Sequence, residues 1–250
     1  MAEKNDAKEK NTVRLNRFLA MCGVGARRKV ESFIEGGRVT VNGRIIFEPG
    51  YQVQPDDIVM FDELPVAPVK LTYLIFNKPK GILSAVEDSR EQTVIDILPP
   101  ELDPLRLFPV GRLDRESEGL LLLTNDGMFS QQIIHPSSGI TKTYEVELRK
   151  PLDEQQLTAW SKGVDADGIF LKPQSVRRLS RKPMQCWFEV VLNEGIKREI
   201  RLMVRTLGND VRHLVRRKIG KLVLKDLQPG EYVSVSKEKL LDYVKNGKEI

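Results

Sequence analysis

Two cysteines and two histidines are all that 250 residues offer of the side chains that most often hold metals or form crosslinks. Cys22 and Cys186 lie far apart in apolar surroundings, and His135 and His213 stand singly, so neither a metal-ligand spacing nor a disulfide framework can be drawn. Long apolar runs are missing too: none approaches the roughly 20 residues that span a bilayer, so no membrane association is expected. Residues 1–11 are polar and mixed in charge, without the apolar stretch of an export signal. A reducing cytoplasm is the expected setting. No Gly-rich phosphate-cradling loop occurs, and no repeat of fixed period, so no cofactor and no metal are expected.

What the sequence does have is clustered positive charge. The net charge of +5 is mild, but local basic stripes create the field that attracts phosphate. Residues 1–11 read as a disordered tail. From Val13 a compact pattern begins: Leu15, Phe18, Leu19 and Cys22 recur at helical spacing, and so do Val30, Phe33 and Ile34. Gly36-Gly37 ends the second helix, Arg38 to Val41 is strand-like, and Asn42-Gly43 signals a tight turn, with short strands following. Residues 12–62 therefore form a small two-helix, small-sheet domain. Arg14 and Arg17 open its first helix, Arg27, Arg28 and Lys29 its second, and Arg38 and Arg44 flank the turn. Cations at a helix N-terminus oppose the macrodipole by about 0.3–1 kcal/mol, which suggests an external anion as the compensating charge. A solvated face is the bland alternative.

Two prolines make residues 63–70 the linker. A larger α+β domain then spans residues 71–242, with residues 243–250 as a C-terminal tail. Strands are expected over residues 71–76, 120–123, 142–148, 187–192 and 232–235, and helices over 127–134, 153–161 and 197–207. Strands outnumber helices, which favours a mixed, mainly antiparallel sheet flanked by helices and loops.

Residues 111–127 read GRLDRESEGLLLLTNDG, a charged loop followed by four leucines that imply a strand buried on both faces. Thr124 to Gly127 then offer a turn and an N-cap. Asp114 lies in the loop before this rigid strand, where reactive groups are often held, yet Glu116 and Glu118 beside it allow three merely solvated acids. Tyr144 shares a strand face with Val146 and Leu148, the pattern of a core tyrosine. Arg198, Arg201 and Arg205 lie three and four apart, giving one basic face on a helix anchored by Ile196, Ile200, Val204 and Leu207. Arg212, Arg216, Arg217, Lys218 and Lys221 extend the positive surface.

Resemblance sharpens these readings. Residues 14–43 (RLNRFLAMCGVGARRKVESFIEGGRVTVNG) resemble the αL-type, ribosomal S-four-like RNA-binding motif. Residues 111–127 resemble the signature of the bacterial pseudouridine synthases that modify ribosomal RNA, the family of the small-subunit enzyme A and the large-subunit enzymes B, E and F. The family's invariant aspartate falls on Asp114. NKPKG at 77–81, KTY at 142–144 and LNEGIKREIRLM at 192–203 match further family motifs. The resemblance implies Tyr144 against the target base, Arg201 paired with Asp114, and Arg112 filling the space of a flipped base. It also implies Lys78, Lys142, Arg198 and Arg205 as substrate contacts. The late motif departs at Glu199, where many members have glutamine, and at Leu202, where they have arginine; variation in RNA contacts is the expected consequence. The REIR form looks nearest to the branch of large-subunit enzyme B.

The implied reaction fits what the sequence lacks. Uridine becomes pseudouridine with no atom gained or lost, so the chemistry needs an ionised carboxylate, as nucleophile or base, in a pocket that excludes water. The implied partner is folded ribosomal RNA with its base flipped, free or within a pre-ribosomal particle, and a monomer is the default state. The alternatives are the same chemistry on small-subunit RNA or transfer RNA, and a non-catalytic ribosome-binding factor.

Overall fold

The computed structural model describes residues 12–181 and 186–250. The disordered tail expected over residues 1–11 lies outside the described residues. The chain divides into two units: residues 1–71 with 104–106, and residues 72–103 with 107–250.

The smaller unit contains β1 (Val13–Arg14), α1 (Leu15–Met21), α2 (Arg27–Glu35), β2 (Val39–Val41), β3 (Arg44–Ile45), β4 (Gln52–Val53), β5 (Val59–Phe61) and β6 (Leu64–Pro65). The helical spacing read from the sequence becomes a core of Leu15, Leu19, Val30 and Ile34 against Val39, Val41, Val53 and Val59, all essentially inaccessible to solvent. The antiparallel sheet runs β3-β2-β5-β6. Asn42 and Gly43 both take positive φ, as the tight turn between β2 and β3 demands. The linker boundary needs correction. Leu64 and Pro65 pair with Phe61 and Met60 as the edge strand of this sheet, a position where proline costs no ladder bond. Asp62 and Glu63 make the turn with positive φ and no glycine, so nothing in the sequence announced it.

The larger unit contains β7 (Tyr73–Lys78), β8 (Phe108–Val110), β9 (Glu118–Thr124), α3 (Gly127–Ile134), β10 (Lys142–Leu148), α4 (Glu154–Lys162), β11 (Val164–Ala166), β12 (Ile169–Leu171), β13 (Ser175–Arg178), β14 (Trp187–Leu192), α5 (Glu199–Thr206), β15 (Val211–Ile219), β16 (Leu222–Val223), β17 (Tyr232–Val235), α6 (Lys237–Asn246) and β18 (Lys248–Glu249). Its main sheet runs β13-β14-β10-β15-β9-β7-β17. Along that path every pair is antiparallel except β15 with β9. The fold is α+β, with a mixed, mainly antiparallel sheet.

Hydrophobic burial falls into two cores, the second of which reaches across the parallel seam to Ile219 of β15. Val146, Leu148, Trp160, Phe188, Val190, Ile200 and Met203 form the first; Ile75, Leu120, Leu122, Phe129, Ile133, Leu240 and Val244 belong to the second. Leu120 to Leu123 are all fully buried, as four consecutive leucines required. Asp126 caps α3 by accepting the N–H groups of Met128 and Phe129 at 3.0 and 3.1 Å. The C-terminal tail also needs correction. Ser236 caps α6, Leu240 and Val244 anchor it, and Lys248–Glu249 then adds a parallel strand to β16, so residues 243–250 belong to the larger unit.

Candidate active site

Asp114 stands in the seven-residue loop 111–117 between β8 and β9, and the loop is tied down from beneath. The Gly81 N–H donates to the Arg115 carbonyl at 2.8 Å, and the Leu113 N–H to Ser84 Oγ at 3.1 Å. Within the loop, the Ser117 N–H donates to the Asp114 carbonyl at 3.0 Å. Lys78 is fully buried at the end of β7, and its Nζ donates to the carbonyls of Ser117 at 2.8 Å, Pro79 at 3.0 Å and Arg115 at 3.4 Å. Burial lowers the Lys78 pKa to about 8, against the acids around it. Lys78 is therefore not placed to contact substrate; it braces the loop that carries Asp114.

Three elements bring side chains to the loop. β10 supplies Tyr144 and Lys142, β15 supplies Arg216, and α5 supplies Arg201. Together with Asp114 they line one cavity of about 610 Å³, within the range of about 300–1,000 Å³ of small-ligand sites. Arg201 Nε lies 3.8 Å from Asp114 Oδ2, both groups largely sheltered. Arg201 also donates to the Val211 carbonyl at 3.3 Å, which fixes its stem. Burial pulls the Arg201 pKa down and the Asp114 charge opposes that shift.

The glycine before the strand makes the seam possible. Gly119 has φ +104°, and a Cβ there would stand 2.4 Å from the Arg216 carbonyl oxygen. Only a residue without a side chain lets β9 and β15 approach closely enough to set Arg216 beneath the loop.

Other expected contacts are distributed differently. Arg112 and Arg198 line the cavity as exposed residues, but Arg198 precedes α5 in a left-handed conformation, φ +59°. Arg205 is exposed on the last turn of α5 and does not line the cavity. The single basic face read from spacing is thus split, because the helix begins one residue after Arg198. Lys142 lines the cavity with Nζ donating to the Ile140 carbonyl at 2.7 Å. In the smaller unit Arg14, Arg27, Arg28, Lys29 and Arg44 are exposed and Arg17 is half-buried. No side chain caps α2 and no acid stands in its first turn. Arg38 is engaged internally: it pairs with Asp62 and lies over the rings of Phe33 and Phe61 at 4.5 and 4.7 Å.

Two further charged residues lie deeper than their sequence context suggests. Arg216, assigned to a positive surface, is 4% exposed. Glu199, where the departure from the family motif suggested varied RNA contacts, is 3% exposed and lines the cavity. Its Oε2 accepts the Ile196 N–H at 3.3 Å and its Oε1 has no partner. Burial, helped by the charge of Glu194, pushes the Glu199 pKa up to about 7. A strand with three consecutive cations (Arg216, Arg217, Lys218) hides the buried one, and a glutamate at a helix start looks solvated. Among the described residues no cluster of His, Cys, Asp and Glu could hold a metal ion, and no helix is long and apolar enough to cross a membrane.

Comparison with known proteins gives concordant matches over most of the chain. The profile of a family described as RNA pseudouridylate synthase matches residues 72–206, and the S4 domain profile matches residues 13–59. The chain is 32% identical to the ribosomal large subunit pseudouridine synthase B of Bacillus subtilis, over 87% of this chain and 90% of that one. It is also 32% identical to the dual-specificity RNA pseudouridine synthase RluF of Escherichia coli, over 94% and 79% of the two chains. A crystal structure of a pseudouridylate synthase superposes with a TM-score of 0.65 at 28% identity, covering 92% of this chain and 98% of that one.

Proposed function

The chain belongs to the RNA pseudouridylate synthase family, and on that premise we propose that it isomerises a specific uridine of ribosomal RNA, with Asp114 as the reactive carboxylate. The observation that carries this reading is the Asp114–Arg201 pair, 3.8 Å apart in a sheltered cavity that Tyr144 also lines. A flipped uracil entering there meets the phenol of Tyr144, which holds the ring through its rotation, while the Arg201 guanidinium faces the carboxylate under the base. Arg112, exposed at the cavity edge, fills the space the base leaves in the RNA and offsets part of the few kcal/mol that flipping costs. Lys142 and Arg198 hold the nucleotide, and Arg205 lies farther out on the RNA path.

The exposed cations Arg14, Arg27, Arg28, Lys29 and Arg44 of the S4 domain, with the half-buried Arg17, bind RNA phosphate and supply affinity that the catalytic domain does not. Large-subunit RNA is the substrate we favour, supported by the likeness to large subunit synthase B; small-subunit RNA and transfer RNA are the alternatives. Every residue lining the cavity comes from one unit of one chain, so a monomer suffices for the chemistry, on free RNA or on a pre-ribosomal particle. Cytoplasmic RNA is the expected target.

The test is incubation of purified protein with unmodified ribosomal RNA, followed by mapping of pseudouridine. Wild-type protein is expected to modify a defined site and Asp114→Asn to leave it as uridine. Product from Asp114→Asn at the wild-type rate would overturn the site, and no product from wild type on ribosomal or transfer RNA would overturn the function.

A further inference from the structure

Arg216 is a buried cation without a counter-ion. Its Nε donates to the Leu120 carbonyl at 2.7 Å, and its guanidinium makes no other hydrogen bond and no ion pair among the described residues. Nη2 is shut away from solvent with no partner. Leaving a buried charge uncompensated is costly, and a strut to one carbonyl needs no guanidinium with its remaining N–H groups idle. The surroundings add to the cost. Lys78 and Lys142 both lose basicity mainly through burial, and the charge of Arg216 pushes each further down. The positive side of this cavity is built to meet something electron-rich.

Position says which part of the RNA that is. Arg216 stands directly opposite Tyr144 across the β10–β15 ladder, so both side chains rise from the same face of the sheet. At 4% exposure it can be reached only from inside the cavity it lines. Phosphates stay at the mouth, among exposed cations such as Arg112 and Arg198; the deepest part of a flipped nucleotide is its base.

We propose that Arg216 is a further catalytic residue, donating a charge-assisted hydrogen bond to a carbonyl oxygen of the target uracil. This rests on the pseudouridine synthase reading above. In the reaction the N1–C1′ bond breaks, and its electron pair passes to the base, where O2 and O4 share the charge. The base turns, C5 bonds to C1′, the proton on C5 is released and N1 takes one up, so no atom is gained or lost. From cleavage to recombination the base is most negative. A preorganised guanidinium in a water-poor cavity stabilises that charge more than it stabilises neutral uridine.

The experiment uses a ribosomal RNA stem-loop carrying the mapped target, with enzyme in excess, and compares the full-length wild type with Arg216→Met and Arg216→Lys. Arg216→Met is expected to slow isomerisation by about a hundredfold or more while RNA affinity stays nearly unchanged. The same stem-loop is then made with 2-thiouridine or 4-thiouridine at the target, since sulfur accepts hydrogen bonds poorly. One of the two thio substitutions should slow the wild type far more than it slows Arg216→Met, a non-additivity that a merely structural arginine would not produce. If Arg216→Met loses its cooperative melt, Arg216→Lys, which keeps charge but loses the planar fork, replaces it in the same cycle. Additive penalties for both sulfur positions, or a wild-type rate in Arg216→Met, would overturn the assignment. Wild-type protein that makes no pseudouridine in any RNA would instead overturn the reading on which it rests.

Discussion

Replacing Glu199 by glutamine should stabilise this protein above neutral pH, by an amount that shrinks as the pH falls. Glu199 is 3% exposed, one oxygen has no partner, and its pKa rises from 4.5 to about 7 through burial and the nearby charge of Glu194. A carboxyl whose pKa is raised by folding holds its proton more tightly in the native state. The native state is therefore favoured below the unfolded value, and that advantage is lost as pH rises through the folded value. Glutamine keeps an acceptor for the Ile196 N–H and never ionises. A shift of this size corresponds to about 3 kcal/mol near pH 8, falling to about 1 kcal/mol at pH 5.

Thermal melts of wild type and Glu199→Gln at pH 5 and pH 8 isolate the effect, because titrating groups not coupled to Glu199 cancel in the difference, and the coupled Glu194 carries its charge at both pH values. The stability gap between the two proteins should widen by about 2 kcal/mol from pH 5 to pH 8, or roughly 4–8 °C in Tm for a domain of this size. A gap that stays constant across that range would refute the reasoning. Any fixed offset from exchanging a carboxyl for an amide does not enter, since only the pH dependence is read.

Gly119→Ala should destabilise the catalytic domain by about 3–5 kcal/mol, because its Cβ would meet the Arg216 backbone and its positive φ strains any side chain; urea unfolding with an unchanged midpoint would contradict this. Charge reversal of Arg27, Arg28 and Lys29 together should weaken RNA binding and reduce the slope of log affinity against log salt by about 2–3, read from titrations at several ionic strengths. An unaltered slope would remove this helix from the RNA interface.

The sequence announced what periodicity and chain punctuation encode. The S4 helices, the leucine strand β9, the Asp126 cap of α3 and the α+β class were all legible from spacing of apolar residues and from turn chemistry. It was silent where partners distant in the chain decide the outcome. The turn at Asp62-Glu63 has no glycine, and Leu64-Pro65 becomes a strand only because Met60 and Phe61 offer an edge. Residues 243–250 read as a tail because their apolar content is low, yet β16 gives Lys248–Glu249 a backbone to pair with. At the site, the motif around Asp114 was visible, whereas the roles of Lys78 and Glu199 were hidden. Charged residues look solvated in one dimension; only the packed structure reveals that these two are enclosed.

The seam between β9 and β15 also orders the chain's assembly in time. The sheet half around β10, β14 and β15 is drawn from one continuous stretch, residues 142–219, and its contacts are comparatively local. The other half joins β7 to β17, strands whose paired residues lie more than 150 positions apart, Tyr73 with Val235 and Phe76 with Tyr232. During synthesis from the N-terminus β7 finds β9 early, but its other edge waits for β17, and the second core waits for α6 to cover it. The loop bearing Asp114 is braced early by Lys78, but Asp114 meets Arg201 only once α5 has been made, so the pair that lines the cavity is completed late. An unfinished chain that already carries its RNA-binding domain can therefore engage RNA before it is able to alter it.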